Sequence, residues 1–286
     1  MEYIPAKYIL IRTKSTAWFG TDHTMNLYRG CCHGCLYCDS RSDCYHIPDF
    51  DRVTAKADAL PLLRDELARK VRPAFIGMGS MSDPYNPFEE ELLLTRHALE
   101  LIDAYGCGAA AATKSDLILR DTDLYQSIQT HSPVVCKVTV TTVAEDLAAK
   151  VEPRAPSPAR RLKAVEGLAR AGIFCGVLLM PVLPFLEDRP EQVLEVVDRA
   201  ADAGARFVYP GFGVTMRQGQ REHFLRQLDL AREIKKPVII HSRDAAKDTV
   251  DLMTEAHAEE IGGVIHWTSS AGRSSRAVFS ASSTIS

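Results

Sequence analysis

The sequence predicts an α/β fold built around a parallel β-sheet, and two observations support this prediction. Short apolar runs alternate with longer segments along most of the chain, which is the pattern of repeated βα units. The longer segments carry apolar residues at three- and four-residue spacing, as helices packed on a sheet do. Consecutive right-handed βα units favour either a doubly wound sheet or a barrel, and both place ligand sites at the carboxyl ends of the strands.

The predicted elements make six βα units. A first strand precedes a cysteine-rich loop, and the five strands that follow are 73–79, 107–113, 134–141, 173–181 and 205–211. Amphipathic helices are predicted over 58–70, 89–105, 157–172 and 189–204. The last two helices end at a glycine, which is a common residue just beyond a helix terminus.

Size and composition limit the class of protein. The chain has 286 residues, of which 46% are hydrophobic, so it can bury a large core. Its net charge of -3 gives no whole-chain electrostatic reason to bind nucleic acid, although a local basic groove is compatible with it. The apolar stretch 172–186 contains two prolines and is shorter than the roughly 20 residues of a membrane-spanning helix. We therefore expect a protein without a membrane partner.

The amino terminus shows no apolar targeting core. The expected location is the cytoplasm, where thiols stay reduced.

Three cysteines mark the most specific candidate site. Cys31, Cys35 and Cys38 form a Cys-x3-Cys-x2-Cys run on one short loop. Thiolates grouped in this way suit an iron-sulfur cluster, whose irons are usually held by four cysteines. Because a local fourth ligand is missing, one iron of a four-iron cluster would keep an open position for a small molecule. An open metal site indicates reactivity more than a structural role.

Two other interpretations of the cysteine loop stay open at this point. A structural zinc site would need a fourth ligand, for which Cys32 and Cys44 are the nearby thiols. A disulfide framework is more typical of small secreted domains. The remaining cysteines lie in apolar surroundings typical of buried thiols, and they are Cys107, Cys136 and Cys175.

Polar segments follow the predicted strands at 79–87, 113–116, 138–146 and 180–184. Ser, Asp, Asn, Pro and Gly also dominate ordinary turns, so each segment alone is weak evidence for a site. Their shared position at the carboxyl ends of strands favours a ring of hydroxyls and one lysine around a polar cofactor. Lys114 is the most informative of these residues, because its positive charge can pair with a carboxylate.

The cysteine run, with Tyr37 before its last cysteine, resembles the signature of the radical S-adenosylmethionine (SAM) superfamily. Further strings in the same order, GSMSDPYNP, TKSDLILRD, EPRAPSPARRL and GVLLMPVLPF, resemble the spore photoproduct lyase-like branch, also described as DNA repair photolyases. The resemblance covers about residues 5–220. It implies a partial (βα)6 TIM-type barrel with the cluster beyond the first strand and SAM across the barrel mouth.

The resemblance also implies cofactors, a reaction and site residues. A [4Fe-4S] cluster on Cys31, Cys35 and Cys38 would cleave SAM reductively to a 5'-deoxyadenosyl radical that abstracts hydrogen from a substrate related to nucleic acids. Flavodoxin or ferredoxin is the expected reductant. No catalytic residue is assigned, and the residues expected to contact SAM are Tyr37, Ser82, Lys114, Thr139 and Arg161.

Two departures from the lyase pattern concern the substrate. Spore photoproduct lyases carry a hydrogen-donating cysteine near the GSMSD string, where this chain has Ser80. Their aromatic residue after the third cluster cysteine is replaced by Asp39. The resemblance therefore predicts a radical SAM enzyme with a lyase-like reaction, and it does not predict thymine-dimer repair.

The carboxyl-terminal part has a different character. Its residues from about 221 resemble an internal segment of TatD-like metal-dependent hydrolases, a (βα)8 family of DNases, and read as helix, strand, helix, strand. His241 and His266 stand at predicted strand ends, where that family places two metal ligands. The family also needs a His-x-His pair, which this chain lacks. Two imidazoles alone cannot build a hydrolytic two-metal site.

These observations predict three segments. They are a radical SAM core over 1–220, a truncated βα fragment over 221–268, and a disordered serine-rich tail over 269–286. A hydrolase and a non-enzymatic redox or metal-binding module are the alternatives to a radical SAM enzyme.

Overall fold

The computed structural model describes residues 1–42, 45–183, 186–212, 215–216, 225, 228–229, 231–233, 235, 238–243, 246–268 and 274–279. The chain divides into two compact units, and each is described by itself. The first consists of Met1–Cys35, Asp49–Leu179 and Glu195–Tyr209. The second consists of Leu36–Pro48, Met180–Leu194 and Pro210–Ser286.

The described residues before 213 form ten strands and seven α-helices. The strands are β1 Glu2–Ile4, β2 Leu10–Arg12, β3 His23–Met25, β4 Tyr28–Arg29, β5 Thr54–Lys56, β6 Phe75–Met78, β7 Gly108–Thr113, β8 Val134–Thr139, β9 Cys175–Val182 and β10 Val208–Phe212. The α-helices are α1 Ala59–Ala68, α2 Glu89–Leu92, α3 Leu94–Ala104, α4 Thr122–Ile128, α5 Glu145–Val151, α6 Pro158–Arg170 and α7 Pro190–Asp202. Short 3₁₀ helices cover Asp39–Arg41 and Asp116–Asp121.

The main sheet has seven strands in the order β10-β9-β8-β7-β6-β3-β2. The neighbouring pairs from β3 to β9 are parallel, and β2 pairs with β3 antiparallel at the edge. The six strands β3 and β6–β10 therefore lie side by side in chain order. A doubly wound sheet would reverse its order at a switch point, so this order supports the partial barrel. The predicted α/β class is confirmed.

Small residues let the helices pack closely on this sheet. In β7, the run Ala109–Ala111 is fully buried, and Ile76 and Val138 are buried on the strands on either side of it. The helices contribute their apolar faces, such as Leu99 and Ile102 of α3. A smaller sheet of order β1-β5-β4 completes the first unit.

The helix predicted over 89–105 is interrupted. Leu93 adopts a left-handed conformation with φ 51°, and it separates α2 from α3. The buried carboxylate of Glu89 accepts the N–H of Thr95 at 2.8 Å, which satisfies a free donor in the first turn of α3. This hydrogen bond stabilises the start of a second helix, α3, so the segment forms two helices although its amphipathic pattern is continuous.

The second unit contains a sheet of order β11-β12-β13-β14. Its strands are β11 Thr215–Met216, β12 Val238–Arg243, β13 Gly263–Thr268 and β14 Ser274–Phe279, with α8 at Ala246–Glu255 and a 3₁₀ helix at Ala258–Glu260. Strands β12 and β13 are parallel, as a βα fragment requires.

Within the segment predicted as a serine-rich tail from residue 269, the structure describes residues 274–279. These residues form β14, which pairs antiparallel with β13 and places Val278 beside Val264. The apolar run 277–279 at its carboxyl end suits a short strand that can pair with an existing edge. Residues 269–273 and 280–286 lie outside the described residues.

Candidate functional site

The loop after β6 brings the GSMSDPYNP segment close to the end of β7. Gly79 has φ +92°, and a Cβ built on it would lie 1.9 Å from the carbonyl oxygen of Ala112. Only glycine allows this close approach of two backbones. The loop can therefore place Asp83 beside the last residue of β7.

Asp83 is the centre of a buried hydrogen-bond network. Its carboxylate accepts bonds from the Thr113 hydroxyl at 2.6 Å and from the Lys114 N–H at 2.9 Å. It also accepts the Tyr85 N–H at 2.9 Å and lies 2.9 Å from Nε2 of His33. Burial opposes ionisation of this carboxyl, but His33 and the donors around it outweigh burial and lower its pKa to about 2. Asp83 is therefore ionised at neutral pH.

The loop that carries the first two cysteines of the motif is held by backbone hydrogen bonds. Cys31 N–H donates to the Phe50 carbonyl at 2.8 Å, and Arg154 N–H donates to the His33 carbonyl at 3.0 Å. The Arg154 side chain donates to the Cys32 carbonyl at 2.7 Å. These bonds give the loop a defined backbone course.

The cysteines of this loop have free thiols. Cys35 is buried and Cys31 is half-buried. Burial and the charge of Asp83 raise the pKa of the Cys31 thiol to about 12, and the backbone N–H groups of His33 and Asp83 act in the opposite direction. Hydrogen bonds from backbone N–H groups to cysteine sulfur are typical of iron-sulfur sites.

Tyr37 and Cys38 belong to the second unit. Cys38 is a half-buried free thiol, and its carbonyl accepts the Arg41 N–H at 3.2 Å at the start of a 3₁₀ helix. Cys44, named above as a possible fourth zinc ligand, lies outside the described residues. Among the described residues, no three His, Cys, Asp or Glu side chains are grouped as ligands of one metal ion.

Three of the residues predicted to contact SAM lie in one network around Glu152. Arg161 is buried, and its guanidinium pairs with the buried Glu152 and donates to the carbonyl oxygens of Pro156 and Thr139 at 2.6 and 3.2 Å. Lys114 Nζ lies 3.8 Å from Oε1 of Glu152. The structure thus brings the positively charged side chains of Lys114 and Arg161 together near the end of β8.

Ser82, the fourth of these residues in the first unit, lines a small pocket at the ends of β3 and β6. Its hydroxyl donates to the Tyr28 carbonyl at 3.1 Å. The pocket is lined by Met25, Asn26, Leu27, Met78, Gly79, Ser82 and Pro84. Among the described residues, Oδ1 of Asn26 is buried and has no hydrogen-bond partner. The pocket therefore offers an acceptor for a ligand N–H group.

Sequence analysis missed Asp83, His33, Glu152 and Asn26 as site residues. The signal for Asp83 and Asn26 was weak, because Asp and Asn in loops are ordinary turn residues. Glu152 follows a short helix that the amphipathic pattern did not predict. His33 lies inside the cysteine motif, and its position between Cys31 and Cys35 was the available signal.

The other cysteines are placed as expected. Cys107, Cys136 and Cys175 are buried free thiols, which confirms their interpretation as core residues.

In the second unit, His241 is the register partner of His266 in the parallel strands β12 and β13. Both residues lie two positions before the end of their strand, inside it, where we had expected strand ends.

A scan against family models identifies the group of proteins to which the chain is related. The model described as Radical SAM superfamily matches residues 25–197, from β3 to α7. The chain belongs to the radical SAM superfamily. The match includes the cysteine run and the segments that carry Asp83, Lys114 and Glu152.

A relative matches the longer part of this radical SAM protein. An uncharacterized protein of Mycobacterium tuberculosis is 32% identical over 210 residues, which are 71% of this chain and 62% of that protein. The chain thus spans less than two thirds of the length of this relative.

A solved structure shares the fold. A spore photoproduct lyase mutant with dinucleoside spore photoproduct superposes with a TM-score of 0.56 and 15% identity, covering 79% of this chain and 64% of the other. At this identity the likeness shows the fold alone, and it agrees with the partial barrel.

The carboxyl-terminal residues match a different model. Residues 213–286 match the model described as TatD related DNase. An uncharacterized metal-dependent hydrolase of Bacillus subtilis is 47% identical over 47 residues, which are 16% of this chain and 18% of that protein. Both resemblances predicted above are confirmed as resemblances. None of the helices within the described ranges is long and apolar enough to cross a membrane.

Proposed function

We propose that this protein is a radical SAM enzyme that holds a [4Fe-4S] cluster through Cys31, Cys35 and Cys38. The observation that carries the proposal is the hydrogen-bonded connection from the cysteine loop through Asp83 to Lys114. It joins the predicted cluster ligands to the residue predicted to bind the SAM carboxylate.

The cysteine loop fits a cluster by its chemistry. Its thiols are free, and the backbone N–H groups of His33 and Asp83 favour the thiolate form of Cys31. Cluster ligation needs thiolates, so binding would release the proton that burial keeps on Cys31. Backbone donors then stabilise the charge on sulfur.

The residues around Glu152 fit the amino-acid end of SAM. Because Arg161 already contacts Glu152, Pro156 and Thr139, we assign the SAM carboxylate to Lys114 and give Arg161 the role of fixing Glu152. The buried Oδ1 of Asn26 suits the SAM ammonium group as an acceptor. Hydroxyls and an aromatic ring complete the proposed contacts, from Ser82, Thr139 and Tyr37.

When bound, the reduced cluster and SAM would supply the radical chemistry that removes a hydrogen atom from the substrate. The chain's own residues orient SAM and exclude water from the site. We propose a lyase-like reaction on a substrate related to nucleic acid, with flavodoxin or ferredoxin as reductant. The dinucleoside bound by the spore photoproduct lyase of similar fold supports this substrate class. Ser80 offers a hydroxyl, which is a poor hydrogen donor to a carbon radical.

Anaerobic reconstitution with iron and sulfide tests the proposal. We expect the wild type to bind four irons per cluster and, after reduction, to cleave SAM to 5'-deoxyadenosine. Cys31→Ser should lose iron and SAM cleavage, because one ligand is removed. Cys107→Ser, which changes a buried core thiol, is the control and should keep both. A wild type without cluster absorbance would refute the proposal.

The same preparation tests the SAM contacts. Lys114→Ala should keep the iron content and weaken SAM binding by roughly tenfold, since one charge-assisted bond is lost. Calorimetry on the anaerobic protein measures the affinity. An unchanged affinity would contradict the assignment of Lys114 to the carboxylate.

A second candidate function is metal-dependent hydrolysis by the carboxyl-terminal fragment. The register that places His241 opposite His266 favours it. A two-metal site needs more ligands than this pair, so we propose that the fragment does not hydrolyse DNA.

A further inference from the structure

The contacts of Asp83 reach two parts of the first unit that are far apart in sequence. On one side its carboxylate meets the ring of His33, which lies 50 positions earlier in the cysteine loop. On the other side it binds the Thr113 hydroxyl and the Lys114 N–H, 30 and 31 positions later at the end of β7. All of these contacts are buried or half-buried. One ionised group therefore touches both the cluster loop and the SAM-contact segment.

The ring of His33 ties Asp83 to the cysteine motif, because His33 lies two positions from Cys31 and two from Cys35. A shift of Asp83 would therefore move the loop between two proposed cluster ligands together with the backbone of Lys114. Groups that surround metal ligands set both the orientation of the ligands and the properties of the metal site.

The surroundings of Asp83 make its position well defined. Four donors from four residues converge on the two carboxylate oxygens. A buried carboxylate that loses one of these donors keeps an unsatisfied charge, so each donor resists displacement of the others. Asp83 is thus held in a fixed position between the cysteine loop and the end of β7.

We propose that Asp83 is a positioning residue that couples the cluster loop to the SAM-binding segment, so that changes on the β7 side alter the cluster and changes on the loop side alter SAM affinity. This inference rests on the proposed function and goes further, because it assigns a role to a residue that need not touch either cofactor. It predicts that a substitution at the end of β7 changes the cluster and that a substitution in the cysteine loop changes SAM affinity.

The most informative pair of variants is Thr113→Val and Thr113→Ser. Thr113 lies on β7, and its hydroxyl donates to Asp83 and accepts the Ser115 N–H at 2.8 Å. Valine keeps the shape and removes the hydroxyl, while serine keeps the hydroxyl and serves as the matched control. Asp83→Asn removes the charge at the centre. Iron content and thermal unfolding of all three reconstituted variants are compared with the wild type.

The readouts are the midpoint potential of the cluster, its electron paramagnetic resonance spectrum with and without SAM, and the SAM dissociation constant. Asp83→Asn should raise the midpoint potential, because a negative charge near the cluster disfavours reduction. Asp83→Asn should also weaken SAM binding by about tenfold, as is typical when a residue that orients the ligands of a metal site is changed. Thr113→Val should shift the potential and the spectrum in the same direction but less, and Thr113→Ser should match the wild type.

Two outcomes would overturn the inference. One is Asp83→Asn with full iron content and an unchanged potential and SAM affinity. The other is Thr113→Val with the same potential and spectrum as Thr113→Ser, which decides the question even if Asp83→Asn does not fold. A wild type that takes up no cluster would overturn the proposed function first, so the two failures are distinguishable.

Discussion

At the scale of single residues, Lys137 is a charge that the proposed mechanism does not use. It lies in β8, is 1% exposed, and its Nζ is 4.6 Å from the centre of the Phe19 ring and 5.8 Å from that of Trp18. Burial lowers its pKa to about 8. Cation–π contacts offset only part of the cost of burying an ammonium group.

This residue predicts a specific dependence of stability on pH. The unfolded chain binds the Lys137 proton up to about pH 10.5, and the folded chain only up to about 8. The cost of burying the charge is therefore complete below pH 8 and disappears as the pH rises toward 10.5. Lys137→Met should be more stable than the wild type at pH 7 by on the order of 3 kcal/mol, and the difference should shrink above pH 8. Chemical denaturation at several pH values measures it.

Lys163→Met changes an exposed lysine of α6 and serves as the control, for which we expect little change at any pH. A Lys137→Met variant that is less stable than the wild type at pH 7 would mean that the ammonium group stabilises the fold.

Side chains with partners distant in sequence could not be identified from the sequence. Lys114, Thr139 and Arg161 were predicted to contact SAM from the family resemblance, and the structure places them near one another, while their contact with SAM stays a prediction. Glu152 and Asp83 became visible only with the fold, since Glu152 meets Lys114, 38 positions away, and Asp83 meets His33 and Thr113, 50 and 30 positions away.

At the scale of elements, the contact between the loop after β6 and the end of β7 controls the geometry of the site. Gly79→Ala should destabilise the fold by more than about 3 kcal/mol, because its Cβ would overlap the Ala112 carbonyl and its φ disfavours other residues. Gly106→Ala is the matched control, since Gly106 also has a positive φ of +65° but no atom within 4 Å of a Cβ. Gly106→Ala should lower the free energy of unfolding by about 1 kcal/mol. Equal losses of unfolding free energy for the two variants, measured by urea denaturation, would contradict the overlap.

Elements were predictable from sequence when their hydrophobic pattern was regular. The strands β6–β10 and the helices α1, α6 and α7 lie within a few residues of their predicted positions. The short helices α4 and α5 were missed, because seven residues carry too little periodicity. The break at Leu93 was missed because it depends on the hydrogen bond from the Thr95 N–H to the buried Glu89 carboxylate, which the hydrophobic pattern does not show.

At the scale of the whole chain, the carboxyl-terminal segment tests whether a family match implies an activity. We expect no divalent-metal-dependent cleavage of DNA by the full-length protein, since the chain has no His-x-His pair to accompany His241 and His266. A plasmid-nicking assay with Mg²⁺, Mn²⁺ or Zn²⁺ measures it. Activity that His241→Ala abolishes and His257→Ala leaves intact would contradict this expectation.

The fold class could be predicted from the whole sequence, and so could the presence of a radical SAM part and a TatD-like part. The choice between a doubly wound sheet and a barrel was not accessible from the pattern of elements alone, because both use the same βα units. The order of strands β3 and β6–β10 in the sheet supplies that distinction.

The backbone bonds that anchor the cysteine loop have a thermodynamic consequence. Fixing one residue costs about 1–2 kcal/mol of conformational entropy, and a mobile loop would meet this cost when the cofactor binds. Here Phe50 and Arg154 hold the loop through the folding of the first unit. The loop is preorganised, so binding of the proposed cluster by Cys31 and Cys35 would not carry the cost of ordering their own backbone.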